Sequence, residues 1–323
     1  MTSNTAATEQ KPQQKIHAVK KVRVFGEIYH LSEIGIGTAL LLPSIAFLLF
    51  VFVIPVIQVI QLSFTNYNTI TGAMRGVGFS NYAYLLTGST SENFYSALGH
   101  TVIYAAVRLS FDISLALLIA VALDSNIPLK KFLRSSYFAP VVVPVVASSL
   151  IWIWFFDINI GPFNQILSWL GLPTSKWLLS EKTSLLSILI FSIWKGIGYN
   201  VVLFLAGLQN ISDSYLEAGR IDGATNWQLF WKIKLPLLRP IVSFVFMMDF
   251  IEAFKVFTEV NVMTPDGGPM RSTMLLVNYI YEIAFKNGRM GRASACALIL
   301  FVIIFVFTMV QQRIGARKTV EYD

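Results

Sequence analysis

The chain has 323 residues, of which 55% are hydrophobic and 13% charged. A soluble domain carries roughly 25% charged residues, so this much apolar surface exceeds what one water-soluble core hides and asks for lipid as its solvent. The formal net charge of +7 does not point to nucleic acid, because Lys and Arg lie mostly between long apolar runs and build no single basic face.

Residues 1–15 are rich in Thr, Ser, Gln, Asn and Lys and read as a disordered tail. No short apolar core with a small-residue cleavage site occurs there, so no cleavable signal peptide is expected. Crossing a bilayer core takes roughly 20 helical residues, and six stretches qualify. They are residues 36–62, 97–123 (with Arg108 and Asp112), 136–156, 184–208 (with Lys195), 237–260 (with Asp249, Glu252 and Lys255) and 294–312. The runs are continuous, unlike the roughly ten-residue alternating strands of a barrel. Pro43, Pro55, Pro140 and Pro144 imply local kinks. The expectation is an all-α polytopic membrane bundle of six helices over 34–312, with tails over 1–33 and 313–323.

Orientation follows from the basic loop residues. With the N-terminus inside, the inner side holds fifteen Lys and Arg, among them Lys130, Lys131, Arg134, Lys232 and Arg313, against seven outside. Both termini are therefore expected in the cytoplasm. The outer loops carry Tyr82, Tyr84, Trp169 and Trp177, which suit an aromatic belt or an external partner.

The inner loop between the fourth and fifth spans reads QNISDSYLEAGRIDGATNWQLFWKIKLPLLRP over residues 209–240. It predicts two short helices. Ser214 with Glu217, and Thr225 with Gln228, have capping spacing; Gly223 permits the turn between them; Leu235-Pro236 should stop the second helix. Trp227, Leu229, Phe230, Trp231 and Ile233 load this loop with apolar bulk. Such a cluster marks a contact surface, or an amphipathic helix lying on the leaflet or its own bundle.

At this loop the sequence resembles binding-protein-dependent ABC importer permeases. The pattern E-A-x-x-x-D-G-A-x-x-x-x-x-F-x-x-I-x-L-P runs through Glu217, Ala218, Asp222, Gly223, Ala224, Phe230, Ile233, Leu235 and Pro236. One departure is Gly219, where the family usually has a second Ala. The resemblance implies a type I importer permease whose coupling helix docks on a separate ATPase, with Glu217, Ala218, Asp222, Gly223, Ala224, Trp227 and Phe230 at the contact. It implies a second, homologous permease chain, two ATPase copies that bind the ATP and Mg, an extracytoplasmic solute-binding protein, and a bacterial cytoplasmic membrane. The segment from Thr264 through Gly267, Gly268, Pro269 and Thr273 to Tyr279, Tyr281 and Phe285 is similar to sugar permeases of the maltose-transporter branch. The stretches 134–156 and 164–177 are similar to that branch as well. By that likeness the cargo is a sugar or oligosaccharide.

Ionisable groups within spans are costly and should pair or face a cavity. Arg108 and Asp112 stand four apart and can pair with each other. Asp249, Glu252, Lys255 and Glu259 step by three or four along one helix side, which suits a solute corridor or a subunit interface. Lys195, Tyr199, Asn200, Asp249, Glu252, Asn278 and Tyr279 are the candidates for a saccharide path. Lys195, Lys255 and Arg271 leave room for an acidic oligosaccharide.

No phosphate loop of the form G-x-x-x-x-G-K-[ST] occurs, nor H-E-x-x-H or G-x-S-x-G. His17, His30 and His100 are scattered, and Cys296 is the only cysteine. No enzyme activity, metal site or cofactor is expected in this chain. The rival readings are the same machine with another cargo, such as a glycerol phosphate or oligopeptide, an ion-coupled secondary transporter using the buried charges, and a membrane enzyme among the carboxylates.

Overall fold

The computed structural model describes residues 21–24, 27–89, 91–125 and 128–316. The tail expected over residues 1–15 lies outside these, as do 317–323. Within the segment 1–33, residues 21–24 and 27–30 form strands. Strands β1 (Lys21–Val24) and β2 (Glu27–His30) pair antiparallel, Lys21 opposite His30 and Val24 opposite Glu27. Helix α1 (Leu31–Leu48) begins directly after them. The chain divides into two compact units, Met1–Gln58 and Val59–Asp323.

Helix α1 passes through a π-helical turn, Leu49–Val53, into α2 (Ile54–Ser63), with Pro43 inside α1. This gives an apolar helical path over Thr38–Ser63, close to the first expected span. Helix α3 (Ser80–Thr87) precedes α4 (Ser91–Asp124), whose 34 residues extend for about 51 Å. Helices α5 (Lys130–Val142) and α6 (Val145–Phe155) together form the third expected span, but they meet at 102°. The cause is local: Val143 and Pro144 are extended (ψ 133° and 135°), as a residue before proline and a proline at a helix start prefer.

Helix α7 (Pro162–Trp169) sits in the following loop, tied by Asn164. Asn164 donates to the carbonyls of Ile158 and Ser175 and accepts from Ser175 N–H and Trp177 Nε1, at 2.8–3.0 Å. Helix α8 (Ser184–Gln209) reproduces the fourth expected span within one residue. Then come α9 (Asp213–Ile221), α10 (Asn226–Leu229), α11 (Leu235–Leu237) and α12 (Arg239–Phe254). The fifth expected span is thus a helix of only 16 residues, broken at Lys255–Phe257 and followed by α13 (Thr258–Met263). Helix α14 (Leu276–Tyr281) leads to α15 (Met290–Ala316).

Among the described residues four helices are long and apolar enough to cross a membrane, or five if the bent α5–α6 pair counts as one. The expectation of six regular spans differs from this because two of the six are interrupted. Irregular backbone at membrane depth is tolerated only where protein or a cavity satisfies it, so both breaks locate a site.

Within the larger unit, α4, α8 and α12 pack closely around small residues. Ala116 and Ala120 of α4 are fully buried against a cluster containing Phe204, Leu205 and Val245. Small residues let backbones approach and raise dispersion contact where lipid supplies no hydrophobic drive. Gly198 of α8 serves the same purpose toward α5: a Cβ there would collide with the carbonyl of Tyr137.

Candidate functional site

Both broken spans open onto one cavity of about 520 Å³. Its walls come from α4 (Arg108), the α5–α6 break (Val141, Val145), α8 (Ser192 to Asn200), α12 (Met248, Asp249, Glu252) and the break into α13 (Lys255 to Glu259). Five of the seven path residues expected from sequence line it: Lys195, Tyr199, Asn200, Asp249 and Glu252. Asn278 and Tyr279 do not. Asn278 is buried behind Phe257, whose carbonyl its Nδ2 meets at 3.5 Å. Tyr279 is buried in the main core. These two back the wall rather than form it.

The charged groups have distinct duties. Arg108 Nε donates to Asp112 Oδ2 at 3.2 Å, the expected pairing within one helix, and both are buried. Gly196 of α8 makes room for the pair, since a Cβ there would stand 3.3 Å from Arg108 Nη2 and 3.4 Å from Asp112 Oδ2. Asn200 Nδ2 donates to Asp249 Oδ2 at 2.7 Å and ties α8 to α12. Lys195 Nζ donates to the carbonyls of Pro140, Val143 and, at 3.4 Å, Val141. These are the carbonyls left open where α5 stops. A cation at a helix C-terminus satisfies such groups and complements the dipole. Lys195 therefore holds the bend, a role that its place at mid-span did not disclose.

Replacing Lys195 by Met should uncap α5 and lower stability by about 1–2 kcal/mol. Thermal unfolding of the purified protein measures this. A lysine that only bound solute would lose uptake with no change in Tm.

Sequence reasoning missed Ser192, Met248 and Thr258 on the cavity wall. Ser192 also accepts the Tyr104 hydroxyl at 2.8 Å. A three-residue step back from Lys195 along α8 reaches Ser192, and a four-residue step back from Glu252 along α12 reaches Met248. Nothing in the sequence marked the break that brings Thr258 to the same wall.

The second feature is the loop between α8 and α12. Helix α9 is capped by Ser212, which accepts Ser214 N–H at 3.4 Å, so the cap lies two residues earlier than the Ser214 expected from spacing. The Thr225–Gln228 capping box is present: Thr225 N–H meets Gln228 Oε1 at 2.8 Å, and Gln228 N–H meets Thr225 Oγ1 at 3.3 Å. Gly223 turns the chain between the helices with φ +80° and no atom within 4 Å of an added Cβ. Gly219 is buried, and a Cβ there would come within 2.7 Å of Leu229 Cδ2 and 2.8 Å of Ile233 Cδ1. Glycine at this position thus lets α10 close onto α9.

Pro236 does not end the helical path. A π-helical turn, Phe230–Lys234, widens the backbone ahead of it, with Leu235 N–H bonded to Phe230 O. The wider turn removes the clash that a proline ring makes with the carbonyl four residues back, and the chain continues through α11 into α12. Lys234 pairs with Asp124 at the end of α4 at 2.8 Å.

The apolar residues of the loop divide between two faces. Leu229 is 3% exposed, whereas Trp227 is 70% and Ile221 85% exposed. Trp231 and Tyr215 are also exposed, Phe230 is half-buried, and Glu217, Ala218 and Asp222 lie open to solvent. Trp227 and Trp231 contact edge to face, with centroids 5.5 Å apart.

Residues 112–320 match the family described as "Binding-protein-dependent transport system inner membrane component". The chain belongs to this family of transporter permeases. The permease is 34% identical over 280 residues to the multiple sugar-binding transport system permease protein MsmF of Streptococcus mutans, covering 87% of this chain and 94% of that one. It is 29% identical over 313 residues to the arabinooligosaccharides transport system permease protein AraP of Halalkalibacterium halodurans, covering 96% of each. It is 31% identical to the trehalose/maltose transport system permease protein MalF of Thermococcus litoralis, covering 88% of this chain and 94% of that one. Among solved structures, a chain of a bacterial ABC transporter involved in the import of the acidic polysaccharide alginate superposes with TM-score 0.79 at 22% identity, covering 90% of the permease and 98% of that chain. That likeness establishes the fold of an ABC importer permease.

The Thr264–Thr273 segment of the permease is a folded knot. Thr273 Oγ1 donates to Thr264 Oγ1 at 2.8 Å over Gly267 and Gly268, both at positive φ. Arg271 makes a bidentate pair with Glu282 at 3.1 and 3.0 Å. The segment fixes the return of the chain from α13 to α14.

Proposed function

We propose that this permease is one half of the membrane pore of an ATP-driven importer that moves a sugar or oligosaccharide into the cytoplasm by alternating access. The observation that carries the reading is the outward face of the α9–α10 pair. Glu217, Ile221 and Trp227 are presented to solvent by a hinge at Gly223, while the pair's own packing is already completed by Gly219 and Leu229. An exposed apolar and acidic face of this kind fits a cleft in another protein.

On this reading Glu217, Ala218, Asp222, Gly223, Ala224, Trp227 and Phe230 form the coupling element, with Trp227 as its anchor and Trp231 bridging it to the half-buried Phe230. Two ATPase subunits bind the ATP and Mg, one below this loop and one below the equivalent loop of a second, homologous permease. The loop and both termini lie in the cytoplasm. An extracytoplasmic binding protein delivers the solute. The saccharide class is supported by relatives named for multiple sugars, arabinooligosaccharides and trehalose or maltose. The cavity adds hydrogen-bonding groups and Tyr199 at the breaks of two spans, where transporter folds build their sites.

The test is reconstitution of the complete importer in proteoliposomes. Uptake of labelled saccharide is expected with ATP and binding protein present, and none with an ion gradient alone. Uptake driven by the gradient without ATP would replace this reading by a secondary transporter.

A further inference from the structure

We infer that the cavity between the two broken spans accepts uncharged saccharides and rejects uronate-bearing ones; the inference rests on the saccharide reading above. An inventory of the charges that remain available to a solute carries it. Three basic side chains reach the cavity: Arg108, Lys195 and Lys255. Arg108 is held by Asp112. The Lys195 ammonium is occupied by the terminal carbonyls of α5. Arg271, which the sequence left open as a contact for an acidic cargo, is paired with Glu282 and does not line the cavity. Lys255 alone is uncommitted, forming no ion pair among the described residues, and it stands three residues from Glu252 and four from Glu259.

The acidic side of the inventory is the reverse. Asp249, Glu252 and Glu259 all line the cavity, and the one hydrogen bond among their side chains that the geometry fixes is neutral, from Asn200 to Asp249. Carboxylates are acceptors only, and a neutral sugar ring offers a fan of hydroxyl donors to them. A uronate offers a fixed negative charge instead. Binding a sugar carboxylate well calls for a free guanidinium fork, and the one guanidinium lining the cavity, Arg108, gives its Nε to Asp112 and is only 7% exposed. With the Arg108–Asp112 pair self-neutralising, three carboxylates face two ammoniums, of which only Lys255 has donors to spare, and this net negative wall repels an acidic residue and attracts hydroxyls.

The test uses the complete importer in nanodiscs, without the binding protein so that its own selectivity plays no part. Equilibrium dialysis compares labelled maltotetraose, xylotetraose and arabinotetraose with tetragalacturonate, and ATP-driven uptake is followed in parallel with the binding protein present. At least one neutral tetramer should bind roughly tenfold or more tightly than tetragalacturonate. Asp249→Asn combined with Glu252→Gln should narrow that ratio by strengthening uronate binding. Equal or tighter binding of tetragalacturonate to the native complex would overturn the inference and leave saccharide import intact. A ratio unchanged in the double variant would overturn it as well. If no tetramer of either kind binds or is carried, the saccharide reading fails and this inference with it.

Discussion

Replacing Asp112 by leucine is expected to destabilise the permease by about 3–5 kcal/mol, the cost of stranding a buried cation. Asp112 is 0% exposed and Arg108 7% exposed, and the carboxylate is the only ion partner of that guanidinium among the described residues. Removing it leaves the charge in a low-dielectric helix interface against the backbone of Gly196. The double replacement Arg108→Met with Asp112→Leu should cost far less, since two well-packed apolar side chains need no desolvation. Thermal unfolding of the purified protein in one detergent gives the cycle, and the coupling between the two sites should be several kcal/mol. Asp112 Oδ1 already has no hydrogen-bond partner, so the pair is imperfectly satisfied to begin with. If Asp112 instead served a proton path, Asp112→Asn would abolish transport with Tm unchanged.

The second large effect is expected at the hinge of the inner loop. Gly223→Pro forces φ from +80° to about −65° and should dismantle the turn between α9 and α10. An added side chain at Gly223 meets nothing within 4 Å, and the one bond lost is that of its N–H to Arg220 O, so the stability of the bundle itself should change by no more than about 1 kcal/mol. Glu217→Lys reverses the charge of an exposed side chain without touching any packing. Both variants should lower ATP-dependent uptake by roughly tenfold or more and weaken co-purification with the ATPase. Normal assembly and uptake in both would move the docking site elsewhere. The contrast with Asp112→Leu is diagnostic, because there stability falls first and coupling only as its consequence.

The sequence carried the membrane class, the long helices and the inner loop, because these depend on local pattern. Residues 184–208 read as one apolar run and form α8 almost to the residue. The Thr225–Gln228 box and the Gly223 turn were legible for the same reason: three or four adjacent residues decide them. The breaks were less legible. Pro140 and Pro144 announced a kink but not one of 102°. No proline or glycine marked the interruption at Lys255, where α12 stops and α13 starts at Thr258. Lys195 shows the same limit, since its partners lie more than fifty residues away in the chain. The π-helical turn before Pro236 was hidden because proline normally signals a stop, and only the backbone shows how the stop was avoided. Asn278 and Tyr279 sat in the right segment but one layer too deep.

The near-continuous helical path from Asn226 through the π-helical turn into α12 has a consequence for phase. A helix advances 100° for every residue, so the angular offset from the loop to Asp249 and Glu252, held in place by the packing of α12, is set by the number of residues between them. One residue inserted between Lys234 and Arg239 would rotate α10 by about 100° relative to both carboxylates, whereas lengthening the chain at the Gly223 corner would leave that offset unchanged. The spacing from the loop to α12 thus acts as a timing mark, and the widened turn, by sparing the rod an elbow at Pro236, carries that phase to the far end.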